Sequence, residues 1–118
     1  MANYGIAVTW GDAKPGRESK ALELFSEAVT TNEKAVANGL LESWDAVIFE
    51  PSATLPAGVI RLLATSREKL EEFINSDEFQ DQVNRAALLL NGVGLRRFLI
   101  GDALMEAMGK YSELVKTL

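Results

Sequence analysis

The chain reads LESWDAVIFEPSATLPAGVIRLLA from Leu41 to Ala64, which is two apolar segments joined by a loop with two prolines. Leu41–Glu50 is rich in the aromatic and β-branched residues that favour strands. Pro51–Gly58 cannot continue a central strand, because proline lacks the N–H that a ladder requires. Val59–Ala64 is apolar again and returns as a second strand. This stretch therefore predicts an antiparallel hairpin at the centre of the fold.

The pairing of the hairpin decides which side chains share a face. If Glu50 lies opposite Val59, then Ile48 lies beside Arg61. One face then carries Val47, Phe49, Ile60, Leu62 and Ala64, and the other carries Trp44, Ala46, Ile48, Glu50, Val59, Arg61 and Leu63. Both faces are largely apolar, and an antiparallel sheet buries both faces only when something covers each. We expect helices of this chain to cover one face and a second copy of the chain, in a homodimer, to cover the other.

The rest of the chain supplies two more strands and several helices. Tyr4–Trp10 alternates large and small residues with the period of a strand, and its small side (Gly5, Ala7 and Thr9) favours close packing of a helix. A long helix is predicted from about Arg17 to Asn38, with the poor helix formers Thr30-Thr31-Asn32 in its middle and Gly39 at its end. The remaining elements are a helix split at Asn75-Ser76, a strand over Val93–Ile100 and a terminal helix from Gly101-Asp102.

Composition narrows the classes of function. The 118 residues have the length of one domain, residues 1–118, and 47% of them are apolar. The net charge of −5 argues against nucleic acid or an anionic membrane as a partner. The sequence has no cysteine and no histidine, so thiolate sites, histidine-ligated haem and the Ser-His-Asp triad are excluded, and we expect no metal and no cofactor. No signal pattern or long apolar stretch is present, which predicts a soluble, cytoplasmic protein.

The β-α-β-β-α-β order with a terminal helix predicts an α+β, ferredoxin-like fold, an antiparallel sheet with helices on one face. The layout resembles the dimeric α/β-barrel superfamily through the strand Tyr4–Trp10, the helix ending at Asn38-Gly39, the hairpin Leu41–Ala64 and the split helix before Val93–Ile100. The resemblance implies a homodimer in which two sheets close a barrel. That superfamily includes cofactor-free monooxygenases of the antibiotic-biosynthesis type and stress-responsive barrels. Its haem enzymes and many of its cyclases use a histidine, which has no counterpart here.

Arg61 is the candidate site residue that differs most from its neighbours, because it lies among Val59, Ile60, Leu62 and Leu63. It can anchor an anionic ligand inside the barrel, or it can form an ion pair with Glu50 or with an acid across the dimer. The ion pair is the interpretation that we favour, since a buried arginine requires a partner.

The other candidates are aromatic or charged. Trp10, Trp44 and Tyr4 can line a pocket for a flat organic ligand, although aromatic residues in strands more often serve core packing. Arg96 and Arg97 point to opposite faces, so only one enters the barrel, and the sequence leaves open which; Arg97 is kept as a candidate. Asp45 is a candidate base if it is desolvated.

Three functions follow from these residues. The first is a homodimeric barrel that binds a small organic molecule or serves a structural or stress role. The second is a cofactor-independent oxygenase or isomerase for an aromatic or polyketide-like substrate, with Trp44, Tyr4 and Arg61 orienting the substrate. The third is a subunit that docks another protein through its terminal helix, whose apolar face carries Leu104, Met108, Tyr111, Val115 and Leu118.

Overall fold

A computed structural model describes residues 1–54 and 56–118 of the chain. In these residues four strands and four helices follow one another as β1 Tyr4–Trp10, α1 Glu18–Ala37, β2 Ser43–Ile48, β3 Gly58–Ala64, α2 Arg67–Ile74, α3 Asp77–Leu89, β4 Gly94–Leu99 and α4 Gly101–Val115. The predicted α+β, ferredoxin-like order is confirmed, with α2 and α3 as the two parts of the split helix. The loop predicted over Pro51–Gly58 includes Leu55, which lies outside the described residues.

The four strands form one antiparallel sheet in the order β2-β3-β1-β4. β1 and β3 are central, and Ile6 of β1 lies opposite Leu62 of β3. β4 pairs with the other side of β1, where Arg97 lies opposite Ile6. The first and last strands of the fold are therefore neighbours, although most of the chain separates them.

The helices α1, α2 and α3 pack on the face of the sheet that carries Ile6, Ile60 and Leu62. This is the side of the large residues of β1, so the prediction that a helix packs on its small side was wrong. Large β1 residues lie beside apolar β3 residues and form one continuous layer for the helices to cover. On the small side the ring of Phe98 lies over Gly5, where an added Cβ would overlap it. A neighbouring strand thus fills the space that a helix was expected to occupy.

The pairing of the hairpin differs from the predicted one. Asp45 lies opposite Arg61 and Val47 lies opposite Val59, so the prediction that Glu50 faces Val59 was wrong. β2 ends at Ile48, and the N–H of the next residue, Phe49, donates a hydrogen bond to the carbonyl of Ala57 at 2.8 Å. The register moves by three positions, an odd number, so every side chain of β2 changes face relative to β3.

The corrected register changes the composition of both faces. Trp44 and Ile48 lie on the helix-covered face, together with Leu62 and Gly58. We call the opposite side the open face, and it is formed by Asp45, Val47, Val59, Arg61, Leu63, Arg96 and Phe98. Within the described chain this face is covered unevenly, because Val47 is 44% exposed whereas Leu63 is only 7% exposed.

The turns that follow α1 and α3 each contain a glycine in the left-handed region. Gly39 has φ +82°, as the predicted stop at Asn38-Gly39 requires, and α1 ends at Ala37 just before it. α3 ends at Leu89, slightly before the predicted stop, and Gly92 with φ +64° lies in the turn to β4. None of the helices described has the length and apolar character needed to cross a membrane.

Candidate ligand cavity between the helices and the sheet

A cavity of about 660 Å³ lies between α1, α3 and the helix-covered face of the sheet. Its size is typical of sites for small organic molecules, which span roughly 300–1,000 Å³. The sheet contributes Val8, Trp10, Ile48, Ile60 and Leu62, and the helices contribute Ala21, Leu24, Phe25, Ala28, Asn32, Phe79, Gln82, Val83 and Ala86. The wall is therefore mostly apolar, with few groups that can form hydrogen bonds.

The cavity exists because small side chains occupy helix positions that face the sheet. Ala21, Phe25 and Ala28 are three or four residues apart on α1, so they lie on one stripe of that helix. The ring of Phe25 meets the ring of Trp10 edge-on, with centroids 6.2 Å apart and planes at 62°. This contact supports one side of the cavity, while the alanines leave its interior unfilled.

Asn32 brings an amide into this apolar wall. Its side chain continues the Ala28 stripe one turn later and is only 3% exposed, which makes it the sole buried polar residue of the described chain. No hydrogen bond joins its amide to another residue in the described ranges, and it lines the cavity. None of the buried side-chain nitrogen or oxygen atoms in the described ranges lacks a partner, so the amide of Asn32 is reached from the cavity and is not a costly unpaired group. The donors and acceptor of Asn32 are therefore free for a molecule inside the cavity.

The opening of the cavity carries negative charge. Asp12 and Glu18 line it, and both are exposed residues. Neither lysine nor arginine is among the described lining residues. The local field thus opposes the entry of an anion and does not oppose a neutral or cationic molecule.

Of the six candidates from the sequence, Trp10 is the one that lines this cavity. Tyr4 lies at the other end of β1, where the guanidinium carbon of Arg67 is 4.9 Å from its ring centroid. Trp44 packs against the core from β2 but does not line the cavity. The three aromatic residues proposed as one pocket are therefore not brought together.

Arg61 lies on the open face and is paired within its own chain. Its Nε and Nη2 donate hydrogen bonds to Oδ1 and Oδ2 of Asp45 at 3.0 and 2.6 Å. Glu50, the partner predicted from the wrong register, follows β2 and is exposed. The hydrogen bond from Arg61 lowers the pKa of Asp45, which keeps the carboxylate ionised and makes it a weak base. The geometry is that of the ion pair favoured from the sequence, with a different acid.

The two adjacent arginines of β4 are now assigned to faces. Arg97 lies on the helix-covered side, where Nε donates to Oε1 of Glu71 at 2.6 Å and Nη2 donates to Oε2 at 3.0 Å. This hydrogen bonding lowers the pKa of Glu71. Arg96 lies opposite Ala7, on the open face. Arg97 therefore ties β4 to α2 and does not face a barrel interior.

A second, polar groove of about 370 Å³ separates α1 from α3. Arg85 crosses it with hydrogen bonds to Glu27 at 2.6 Å and to Asp81 at 2.9 Å. Gln82 donates to Oγ1 of Thr31 at 2.9 Å on the same groove. Its charged groups are thus paired with one another, and the groove joins the two helices.

Comparison with known proteins finds similarity of structure only. No protein-family model and no curated protein matches the sequence. A dimeric protein of unknown function and ferredoxin-like fold from Bacteroides fragilis superposes with a TM-score of 0.61 and 6% identity, over 85% of this chain and 98% of its own. The hydroxynitrile lyase of Passiflora edulis gives 0.65 and 10%, over 86% of this chain and 97% of its own.

A third similar structure is a Chloroflexus aurantiacus protein named after the antibiotic biosynthesis monooxygenases. It superposes with a TM-score of 0.52 and 15% identity, over 85% of this chain and 94% of its own. The resemblance predicted from the sequence is confirmed at the level of the fold. The shared fold does not establish a shared reaction, because one fold serves many functions.

The sequence reasoning did not identify Asn32 as a site residue. It noted Asn32 only as a poor helix former in the middle of α1. The stronger signal is its place four residues after Ala28, on the stripe that faces the sheet. An asparagine at such a position is either hydrogen-bonded in the core or available to a ligand, and only the structure distinguishes these cases.

Proposed function

We propose that the protein binds a small, flat and largely apolar organic molecule in the cavity between its helices and its sheet. The observation that carries this proposal is the amide of Asn32, which lies in a mostly apolar cavity wall and forms no hydrogen bond to another residue of the described chain. Apolar cavities with a few well-placed polar groups are the usual form of a small-molecule site. A ligand that hydrogen-bonds Asn32 would use an amide that forms no hydrogen bond to another residue of the described chain.

The chemistry of the wall suggests the class of ligand. An amide both donates and accepts, so it suits a carbonyl or a hydroxyl group. The edge-on pair of Trp10 and Phe25 supports an aromatic or otherwise planar body. Because Asp12 and Glu18 line the cavity and no described lysine or arginine does, we expect a neutral molecule to bind more tightly than its carboxylate analogue.

Cofactor-independent oxygenase or isomerase chemistry is the second candidate, since two structural neighbours bear the names of a lyase and of monooxygenases. Such a reaction requires a group that moves a proton near the substrate. Asp12 and Glu18 are the only ionisable residues among the described lining residues, and both are exposed. Binding is therefore the function that we favour. Oxygen uptake or turnover of a polyhydroxylated aromatic compound would favour catalysis instead.

We further propose that the protein is a homodimer that contacts its second copy through the open face. Val47, Val59, Leu63 and Phe98 give this face an apolar character in the described chain. One structural neighbour is described as dimeric, which supports the same arrangement here. We also propose a cytoplasmic location, because the sequence has no cysteines that an oxidising compartment would pair. Nucleic acid is not among the proposed partners, given the net charge of −5.

The ligand proposal is tested with two compounds of the same shape, 2-naphthol and 2-naphthoate. We expect calorimetry to show binding of 2-naphthol to the wild type and at least tenfold weaker binding of 2-naphthoate. Asn32→Leu should weaken 2-naphthol binding about tenfold or more, since the hydroxyl group of the ligand would lose its partner. The control Asn84→Leu makes the same change at an exposed position on α3. Equal affinity of the wild type and Asn32→Leu would contradict the role of Asn32.

The role of the opening is tested separately. Replacing both carboxylates, as Asp12→Asn with Glu18→Gln, should strengthen 2-naphthoate binding severalfold and leave 2-naphthol binding nearly unchanged. The gain should shrink at high salt, because screening weakens exposed charges. Tighter binding of 2-naphthoate than of 2-naphthol to the wild type would overturn the proposed ligand class.

A further inference from the structure

The last helix, α4, carries large apolar residues on one face that remain exposed in the described chain. Leu104, Met108, Tyr111 and Val115 are separated by four, three and four residues, and Leu118 follows after three more. This spacing places the side chains on one face of the helix, as it does for Ala21, Phe25 and Ala28 of α1, which face the sheet. We call this set of five residues the α4 stripe.

Nothing in residues 1–54 or 56–100 covers the α4 stripe. The helix has no buried residue, and Met108 and Tyr111 are 54% and 64% exposed. It is fixed at its start, where the N–H of Ala103 donates a hydrogen bond to Oδ1 of Asn3 at 3.2 Å. A helix of 15 residues is only marginally stable in water without packing. A partner from outside the chain would bury this apolar face and stabilise the helix.

We propose that α4 pairs along the α4 stripe with α4 of a second copy of this chain. A two-fold dimer brings the same patch of both chains together, so the patch must be complementary to itself. An apolar stripe meets that condition, whereas a charged one does not.

The charges of α4 support self-pairing. Residues that flank the stripe, Met105, Ala107, Ser112 and Leu114, are all uncharged. Charged side chains lie farther round the helix and pair within it, Glu106 with Lys110 at 3.4 Å and Glu113 with Lys116 at 3.0 Å. Flanking charges are what select or reject a partner helix in paired helices. Without them, no like-charge contact opposes the approach of an identical helix.

The area is sufficient for a stable contact. The exposed large apolar residues of this segment are Leu104, Met105, Met108, Tyr111, Leu114, Val115 and Leu118. With on the order of 100 Å² each, these residues expose roughly 700 Å² per chain, which is the upper bound for the area of the contact and lies near the ~800 Å² per partner of a standard interface. A second α4 presents an equal surface, so each helix covers the other.

The absence of native cysteines allows a direct test by disulfide cross-linking. Single cysteines are placed in the full chain as Met108→Cys, Tyr111→Cys and Val115→Cys, with Lys110→Cys as the control on the other side of α4. Each protein is oxidised with copper-phenanthroline at micromolar concentration and analysed on a non-reducing gel. We expect a covalent dimer at one or more stripe positions, formed at least tenfold faster than with Lys110→Cys. A parallel pair links at every stripe position and an antiparallel pair at the one nearest the axis.

The proposal is overturned if no stripe cysteine links faster than Lys110→Cys. It is also overturned if Tyr111→Cys links to Val47→Cys when the two variants are mixed, because the open face of the other copy would then be the occupant. Circular dichroism of each variant confirms that the substitution leaves the fold intact. Because the cross-link reports on α4 itself, the result does not depend on whether the open faces also pair.

Discussion

Arg61 and Asp45 lie directly opposite each other on β3 and β2, and the guanidinium donates two hydrogen bonds to the carboxylate at 3.0 and 2.6 Å. Both side chains are nearly half exposed in the isolated chain, at 44% and 45%. An exposed pair of this kind contributes about 0–1 kcal/mol, whereas breaking a buried pair costs about 3–5 kcal/mol. The free energy lost when the pair is broken therefore shows whether a second copy covers the open face.

The first prediction is a double-mutant cycle on this pair. We expect Arg61→Met alone to destabilise the homodimer by a few kcal/mol, because it leaves Asp45 unpaired in the covered face. The double variant Arg61→Met with Asp45→Asn should be nearly as stable as the wild type. Denaturant unfolding at a concentration that maintains the dimer gives the coupling energy. A coupling below about 1 kcal/mol would show that the open face stays in water.

The second prediction concerns pH. The hydrogen bond from Arg61 lowers the pKa of Asp45 in the folded chain. A lowered pKa contributes stability above the pKa of the unfolded chain, about 3.9 for aspartate, and that contribution is lost as pH falls through the folded pKa. Wild type should therefore melt above Asp45→Asn at pH 5–7, and the difference should shrink below about pH 4. In the Arg61→Met background the same substitution should give no comparable pH dependence. A difference that stays constant down to pH 2 would contradict this linkage.

The third prediction concerns assembly. Light scattering at micromolar concentration should give the mass of a dimer for the wild type. Val47→Glu should weaken association, since it places a charge in the apolar part of the open face. The control Leu88→Glu changes an exposed residue of α3, which is 70% exposed, and should leave the mass unchanged. A monomeric wild type would overturn the proposed homodimer.

The fourth prediction concerns the end of α1. Gly39 has φ +82° and no atom within 4 Å of an added Cβ, so the backbone alone opposes a side chain. Gly39→Val should cost more than about 1 kcal/mol of unfolding free energy, because β-branched residues rarely adopt positive φ. The control Gly109→Ala lies inside α4 and should instead stabilise by about 0.5–1 kcal/mol, provided that the helix is folded. Equal effects of the two substitutions would contradict the left-handed role of Gly39.

The sequence was sufficient for the fold because local patterns decide each element. Tyr4–Trp10 has the period of a strand and is one, and Gly39 ends α1 as its neighbours predicted. Pairing was harder to predict because it depends on where the loop begins. The first residue after β2, Phe49, bonds Ala57 across the loop, and moving that point by three residues reverses the faces of β2.

The site was less predictable for the same reason. Arg61 was correctly expected to form an ion pair, but its partner followed from the pairing and was assigned to Glu50 in place of Asp45. Trp10 was one of the aromatic candidates and lines the cavity, yet its neighbour there, Phe25, comes from a distant helix. In the sequence, the neighbours of Asn32 do not distinguish it from other residues of the helix. Its significance depends on the space left by alanines, and packing of that kind is not visible in a single helix.

The last prediction separates binding from stability at Asn32. In the ligand-free chain a leucine at this position would add apolar contacts in the cavity wall, so Asn32→Leu should stabilise the fold while it weakens binding of 2-naphthol. The cavity has room for the larger side chain. We expect a gain of about 1 kcal/mol, or roughly 3–5 °C in the melting midpoint for a chain of this length. Leucine also favours helices more than asparagine does, and Asn84→Leu measures that part alone on the exposed side of α3. Calorimetry of both variants without ligand gives the comparison. If Asn32→Leu melts lower than Asn84→Leu, the amide of Asn32 is satisfied in the folded chain, and its place in the cavity wall is structural.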